Sequence, residues 1–201
     1  MTGTARVDIY QLSPTGNVDD SADATLSNAL AAPYIGSALY SGDFWFMTSN
    51  SNDSTTINEW LTSAGGSYTE LGGGFDETLT ISRPNIGGAN PTALTTWFVF
   101  SAVGSAFDFQ VDHDDGLQII DDFATTIYSS PQPQTANGFS PVSWDGGFIQ
   151  LAYAATNGDP SVLKLKGTGT LTAVPLPAAL PLLAGGLGIL GFAGWRRKKA
   201  A

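Results

Sequence analysis

The stretch FDFQVDHDDGLQIIDD, residues 107–122, is the most informative part of the chain. Its residues alternate between an apolar face that ends on His113 and a polar face that ends on Asp114. Side chains that alternate in this way lie on opposite faces of a β-strand. The dipeptide Asp115-Gly116 favours a tight turn, so we expect a hairpin that leads into a second strand at 117–120.

Similar short apolar or alternating segments recur along the first 167 residues, separated by clusters of Gly, Asn, Asp and Pro. One helix interrupts this pattern, because Thr56 and Glu59 form a capping box and apolar residues follow at helical spacing. We therefore predict an all-β fold over residues 1–167, an antiparallel β-sandwich with one short helix. The predicted strands cover 44–47, 79–81, 97–100, 107–111, 117–120, 148–153 and 162–166.

The charge of the body limits its partners. The residues before Val174 include all 18 acidic residues but only four of the eight basic ones, a net charge of −14. Such a surface repels nucleic acid and anionic lipid, so we expect cations, neutral glycans or basic proteins as partners. The chain has no cysteine, which excludes a disulfide framework, and its length is sufficient to bury a single core without one.

The end of the chain differs in character, because an apolar segment is followed by a cluster of cations. Residues 176–195 carry no charge and, at about 1.5 Å of rise per residue, are just long enough to cross a bilayer as a helix. We predict a transmembrane helix there, joined to the body by a linker at 168–173. By the positive-inside rule, four basic residues stop transfer and stay in the cytoplasm: Arg196, Arg197, Lys198 and Lys199.

The apolar segment is introduced by the motif Val174, Pro175, Leu176, Pro177 and Ala178. With the apolar span and the basic end, this motif resembles the VPLPA variety of the PEP-CTERM sorting signals over residues 174–201. The resemblance implies a Gram-negative precursor that is anchored in the inner membrane and processed by an exosortase-type enzyme for the cell surface or the extracellular matrix. Such export needs a signal peptide, whereas Val7 and Ile9 alternate as in a strand, so we interpret the chain as lacking its leader.

The adjacent carboxylates of Asp114 and Asp115 point to a cation, because they repel each other until a hard cation neutralises both. Calcium prefers about six to eight oxygen ligands from carboxylates and carbonyls. The segment is not an EF-hand, since a loop starting at Asp112 has Leu117 where that motif requires Gly and Phe123 where it requires Glu. A turn without a metal remains the alternative.

The same stretch, together with FIQLAYAATNGDPSVLKLKG at 148–167, resembles the protective-antigen-type β-sandwich over residues 40–166. This module also occurs in flocculin adhesins and in carbohydrate-active enzymes, and the resemblance implies that the β-sandwich is of the lectin-like jelly-roll type. In its sugar-binding members an Asp-Asp pair holds a calcium ion that binds sugar hydroxyls, which implies that Asp114 and Asp115 bind metal and sugar here. The resemblance places an asparagine ligand where this chain has Ala155, so Asn157 and Asp159 in the following loop are the expected further ligands.

The remaining candidate residues have simpler explanations. His113, the only histidine, shares the apolar face of its strand and is expected to be a buried structural residue. No cysteine or nucleophile elbow accompanies it, and we expect no enzyme activity. Trp60 and Trp97 are expected in the core, which leaves Trp144 as the expected exposed platform for a sugar ring.

The sequence therefore predicts an exported, surface-sorted module that binds carbohydrate or matrix, with Ca²⁺ as its expected cofactor. A structural protein of the exopolysaccharide or biofilm matrix, without a small ligand, remains one alternative. A glycan-active enzyme is the other, because two carboxylates suffice for glycoside hydrolysis, but nothing in the spacing selects which two.

Overall fold

The computed structural model describes residues 1–13, 22–48, 55–80, 94–122, 124–135, 138–156, 158 and 160–174. Among these residues, no helix has both the length and the apolar character needed to cross a membrane. The predicted transmembrane segment 176–195, the motif beyond Val174 and the basic end lie outside the described residues. The elements are β1 (Thr2–Leu12), α1 (Leu26–Ala31), β2 (Tyr34–Asp43), β3 (Trp45–Met47), α2 (Ile57–Thr62), β4 (Ser67–Gly73), β5 (Thr95–His113), β6 (Gly116–Asp121), β7 (Thr126–Ser130), β8 (Ser140–Ala155), β9 (Val162–Lys166) and β10 (Thr170–Ala173).

The first layer of the fold is a sheet in the order β4-β2-β1-β5-β8-β6-β7. Strand β10 lies between β1 and β5 at one end and pairs with both. Its contact with β1 is parallel, whereas the other pairings between the described strands are antiparallel. The linker prediction for 168–173 is therefore wrong: the segment contains a sheet strand, because Leu171 is buried in the core.

Strand β5 belongs to two layers. Its first part pairs with β1 over 95–101, whereas its last part pairs with β9 over 110–113. Strand β8 accompanies β5 along nearly its whole length, from Ala155 opposite Thr96 to Ser140 opposite Val111. Strand β3 pairs with β9. A second layer, made of β3, β9, the last part of β5 and the first part of β8, therefore covers the first.

Both long strands change layer at glycines. Gly104 and Ser105 of β5 lie opposite Gly147 and Gly146 of β8. Gly146 and Gly147 have φ angles of 87° and 96°, which residues with a side chain rarely adopt. A Cβ atom on Gly146 would lie 2.7 Å from the backbone nitrogen of Ala106. These glycines allow the two strands to approach closely and to turn together from one layer to the other.

Aromatic rings fill the space between the layers. Phe46 of β3 stacks on Phe100 of β5 with ring centroids 5.4 Å apart, and Trp60 of α2 stacks on Tyr153 of β8 at 5.1 Å. All four rings are fully buried. They join β3 and α2 to the first layer, and the burial of this apolar surface is the main favourable contribution to folding.

Helix α2 begins at the predicted capping box. The Thr56 hydroxyl accepts a hydrogen bond from the Glu59 N–H at 3.2 Å, and the Glu59 carboxylate accepts one from the Thr56 N–H at 2.8 Å. The expectation of a single helix is wrong, because α1 also forms. Thr25 caps α1, but the third helical position is Asn28 and not glutamate, so the capping box that marked α2 is absent here.

The centre of the first layer is buried on both faces. Phe98 and Phe100 face the main core, whereas Trp97 and Val99 face a second cluster that includes α1. This double burial explains why residues 97–100 form an uninterrupted apolar run. The predicted strands at 97–100 and 107–111 are both parts of β5, and the described part of the predicted strand at 79–81 forms no strand.

Candidate functional site

The Asp114-Asp115 pair joins β5 to β6, but the predicted hairpin between these strands does not form. Strand β8 lies between them, since β6 pairs with one side of β8 and β5 with the other. The pair therefore passes around the end of β8 and connects the second layer to the first. The Asp-Gly signal at Asp115-Gly116 reports local backbone preference, and it carries no information about which strand becomes the neighbour of β6.

Asp115 is held by three different segments and is only 4% exposed. Its N–H donates to the carbonyl oxygen of Gln134 at 2.6 Å, and its Oδ2 accepts a hydrogen bond from the N–H of Thr156 at 3.1 Å. Its own carbonyl oxygen lies 3.0 Å from Nδ1 of His113. Its φ angle of 68° lies in the left-handed region, which Asp and Asn tolerate better than most residues. The position of Asp115 is thus fixed before any ligand binds.

His113 is buried directly behind the pair, as its place on the apolar face predicted. Because a carbonyl oxygen only accepts hydrogen bonds, Nδ1 carries the proton that it donates to Asp115. Nε2 then accepts a hydrogen bond from the Tyr128 hydroxyl at 2.8 Å. Burial lowers the pKa of His113 below its ordinary value, against the opposing effects of the Asp115 carbonyl and the Asp112 carboxylate. The neutral ring therefore links Asp115 to β7.

The pair is also attached to both ends of the loop between β8 and β9. The Asp114 N–H donates to the carbonyl oxygen of Val162 at 2.9 Å, where β9 begins. The bond between Thr156 and Asp115 holds the other end, where β8 finishes. The predicted ligands Asn157 and Asp159 belong to this loop and lie outside the described residues.

A buried tyrosine hydroxyl lies close to the two carboxylates. The Tyr153 hydroxyl makes no hydrogen bond within the described part of the chain. Burial raises its pKa well above the ordinary value, and the nearby carboxylates of Asp115 and Asp114 raise it further. Ser161 partly offsets this rise, although the two hydroxyls do not meet hydrogen-bond geometry. Tyr153 is therefore protonated at neutral pH and presents no negative charge to the pair.

The oxygen atoms of the pair are of the type that a hard cation such as Ca²⁺ prefers. Within the described residues, no group of three or more His, Cys, Asp or Glu side chains lies close enough to hold a metal ion. A metal site at this place would therefore take two side chains from Asp114 and Asp115. Further side-chain ligands would have to come from positions such as Asn157 and Asp159, which are not described.

Trp144 does not form the predicted exposed platform. It is only 3% exposed, and its ring packs edge-on against Phe107 with centroids 5.4 Å apart. Val142 and Trp144 are two residues apart in β8, so both side chains lie on its inner face, while the residues between and beside them are exposed. Trp144 is therefore a core residue, like Trp60 and Trp97, whose predicted burial is confirmed.

The pattern of the sequence did not reveal Gln134, Thr156 or Val162 as partners of the pair. Thr156 lies 41 residues after Asp115 and meets it only because β8 runs between β5 and β6. Trp45, and not the predicted Trp144, is the exposed tryptophan of the described residues. A signal for it existed, because Phe44 and Phe46 on either side are buried and alternation then places Trp45 outward.

No protein-family model matches the chain, and no curated protein matches it. Two solved structures are similar. The PA14 sugar-binding domain from an RTX adhesin has a TM-score of 0.51 at 13% identity, covering 85% of this chain and 95% of that one. The PA14 domain of the antifreeze protein MpAFP has a TM-score of 0.52 at 12% identity, covering 86% and 92%. The fold is thus that of PA14 domains, which confirms the expected protective-antigen-type architecture.

Proposed function

We propose that this chain is a carbohydrate- or matrix-binding module of an exported surface protein, and that calcium at the Asp114-Asp115 pair assists binding. The PA14 fold supports the first part, because one similar structure is a sugar-binding domain of an adhesin. One observation carries the second part: the loop that contains Asn157 and Asp159 is hydrogen-bonded at both ends to the pair. The proposed function is non-enzymatic.

In this proposal the chain contributes a prearranged set of oxygen ligands. Asp115 is already fixed by Gln134, His113 and Thr156, so little ordering is required when a ligand binds. Asp114 and the loop residues Asn157 and Asp159 complete the proposed set. Calcium, when bound, supplies open positions for sugar hydroxyl oxygens.

A calcium titration of the purified full-length chain, followed by thermal melting, tests the metal. A ligand that binds only the folded state raises its melting temperature, so we expect an increase at millimolar calcium that a chelator reverses. Asp115→Asn keeps an acceptor for the Thr156 N–H and tolerates the left-handed backbone, so it should fold but lose the response to calcium. The matched control is Asp145→Asn, which removes an exposed carboxylate of β8 and should respond like the native chain.

The metal part of the proposal is wrong if the native chain shows no shift, or if Asp115→Asn shifts as much as the native chain. A glycan array, probed with and without chelator, tests the carbohydrate part separately. We expect bound glycans whose signal falls when calcium is removed.

A structural matrix protein without a small ligand is the second candidate. It is favoured by the hydrogen bonds of Asp115, because its N–H, carbonyl and carboxylate groups each bind a neighbouring segment of the protein. Under this alternative the pair is a structural corner of the sandwich, native and Asp115→Asn chains respond alike to calcium, and no glycan binds.

We further propose that the end of the chain is a sorting signal. Its parts are the motif Val174 to Ala178, the apolar span 176–195 and the cations Arg196 to Lys199, read by an exosortase-type enzyme at the inner membrane of a Gram-negative bacterium. The position of β10 supports this, because the strand ends at Ala173, directly before the motif, and the Ala173 N–H is hydrogen-bonded to the Thr4 hydroxyl at 2.8 Å. The motif thus follows a firmly attached strand. The module would then reach the cell surface or its exopolysaccharide.

A further inference from the structure

Aromatic and basic side chains form a continuous patch on the outer side of the second layer. We call it the aromatic-lysine face, and it consists of Trp45, Phe139, Lys164 and Lys166. Trp45 and Phe139 are 38% and 36% exposed, with ring centroids 6.0 Å apart. Nζ of Lys164 lies 5.2 Å from the centroid of the Trp45 ring, and Nζ of Lys166 lies 5.4 Å from that of Phe139. Each exposed ring therefore has a cation beside it.

Strand pairing fixes the arrangement of this face. Trp45 lies directly opposite Lys164 in the pairing of β3 with β9. Lys164 and Lys166 are two residues apart on β9 and so share one side of the sheet, while Leu163 and Leu165 face the core. The two lysines are thus directed outward by the burial of their neighbours, and the face is a fixed feature of the sheet.

The charge of this face is opposite to that of the body. Two of the four basic residues before Val174 are on it, in a body whose net charge is −14. Lys164 forms a long ion pair with Asp112, at 3.8 Å between Nζ and Oδ2. Within the described residues the other ion pair joins Arg6 to Asp8, so Lys166 pairs with no described carboxylate. Among its four residues and the paired Asp112, the aromatic-lysine face thus has two lysine charges against one carboxylate.

The stability of the fold does not account for this face. Trp45 and Phe139 leave more than a third of their surface in solvent, where it gains nothing from the hydrophobic effect, and an exposed cation–π contact contributes only about 0.5–1 kcal/mol. Clustered exposed apolar surface next to charged groups is instead typical of binding sites. An aromatic ring offers a flat apolar surface to the C–H face of a sugar ring, and an ammonium group forms strong hydrogen bonds with a carboxylate.

We propose that the aromatic-lysine face binds an acidic polysaccharide, with uronic acid rings stacked on Trp45 and Phe139 and their carboxylates paired with Lys164 and Lys166. A neutral glycan would offer no carboxylate to pair with the Lys166 ammonium group. This inference goes beyond the calcium-assisted site, because it assigns a second surface, names the charge of its ligand and requires no metal.

The two proposed sites are close enough for one glycan chain to contact both. The Asp114 N–H binds the carbonyl of Val162, and Val162 lies two residues before Lys164 on β9, which corresponds to about 6.6 Å along a strand. The sites are nevertheless separable by experiment, because one depends on calcium and the other on two lysines.

Titration calorimetry of the full-length chain with trigalacturonic acid, and with its methyl ester as the uncharged counterpart, tests the proposal. Both titrations contain a chelator, so the outcome is independent of the proposed metal site. We expect the acid to bind at least about tenfold more tightly than the ester, a difference of about 1.4 kcal/mol. No binding of the acid, or equal affinity for acid and ester, would overturn the proposal.

Variants of the aromatic-lysine face separate the contribution of the lysine charge from that of the aromatic ring. Lys166→Gln should abolish most of the preference for the acid, and Lys166→Arg should retain it. Trp45→Ala should weaken binding of both compounds by about tenfold. Tyr34→Ala removes an exposed aromatic residue from β2 in the first layer and is the matched control. An equal loss in Tyr34→Ala and Trp45→Ala would contradict a specific role for the face.

Discussion

His113 shows how one buried side chain connects the candidate site to the stability of the fold. Its neutral ring donates to the Asp115 carbonyl and accepts from the Tyr128 hydroxyl, so both nitrogens are satisfied. Protonation would place a second N–H where Nε2 now accepts, in surroundings whose burial disfavours a charge. The arrangement around Asp115 therefore depends on the uncharged form.

We expect the chain to lose stability as the pH falls below about 6.5, the ordinary pKa of histidine. Because the folded-state pKa of His113 is lowered, the unfolded state takes up the proton first. The stability that depends on neutral His113 is thus complete above the unfolded pKa and is lost as the pH falls toward the folded pKa. His113 is the only histidine, so few other groups titrate in this range.

Melting temperatures measured between about pH 5 and pH 8 check this expectation. The His113→Gln variant cannot be protonated in this range and should show a flatter profile, although it should melt lower at neutral pH because a buried contact is lost. A variant profile as steep as that of the native chain would show that another group is responsible.

The same residue scale shows what the sequence could reveal about the site. Alternation placed His113 on the buried face, and the adjacent Asp114 and Asp115 were recognisable as a pair. Thr156 was not recognisable as a partner, because its contact with Asp115 depends on the order of the strands and not on local pattern. The prediction for Trp144 was wrong because it rested on the elimination of Trp60 and Trp97, whereas the spacing of Val142 and Trp144 already matches one face of a strand.

At the scale of elements, predictions succeeded where local signals were sufficient. Strand β9 has the predicted bounds, and α2 begins at its capping box. Strand β5 was divided into two predictions because Gly104 interrupts its apolar pattern, yet β8 pairs with it on both sides of this point. The four residues of β10 are too short to carry a signal of their own, and the strand exists because β1 and β5 pair with it.

Removal of β10 should therefore destabilise the fold. A chain that ends after Gly167 loses the buried Leu171 and the pairings with β1 and β5, which should reduce the free energy of unfolding by at least about 2 kcal/mol. A chain that ends after Val174 keeps β10 and should unfold close to the full-length chain. Urea denaturation of the two truncated chains measures the difference, and equal midpoints would mean that the strand contributes nothing.

On the scale of the whole molecule, the class of fold was easier to predict than the path of the chain through it. The class of fold was predictable, because the strand pattern and the resemblance to protective-antigen-type domains agree with the PA14 architecture. The path of β5 and β8 through both layers was not predictable, because it depends on pairings between residues that are distant in sequence.

The sorting proposal predicts how the precursor behaves in a Gram-negative host that carries an exosortase. Replacing both Pro175 and Pro177 by alanine should leave the precursor unprocessed and in the membrane fraction, because the proposal makes the short motif the element that the enzyme recognises. Mass spectrometry of the C-terminal peptide measures the processing. Pro141→Ala, in the body, is the control and should be processed normally. Normal processing of the double variant would exclude the motif as the recognised element.

The neighbouring positions of β1 and β10 have a consequence for the timing of folding. Thr2 lies opposite Thr170, and the amino group of Met1 donates to the carbonyl of Leu165 at 3.2 Å. Strands β1 and β10 are thus distant in sequence but adjacent in the sheet, and contacts between such distant segments form slowly. The sheet is therefore complete only when β10 is in place between β1 and β5, so its closing step joins segments from opposite ends of the described body.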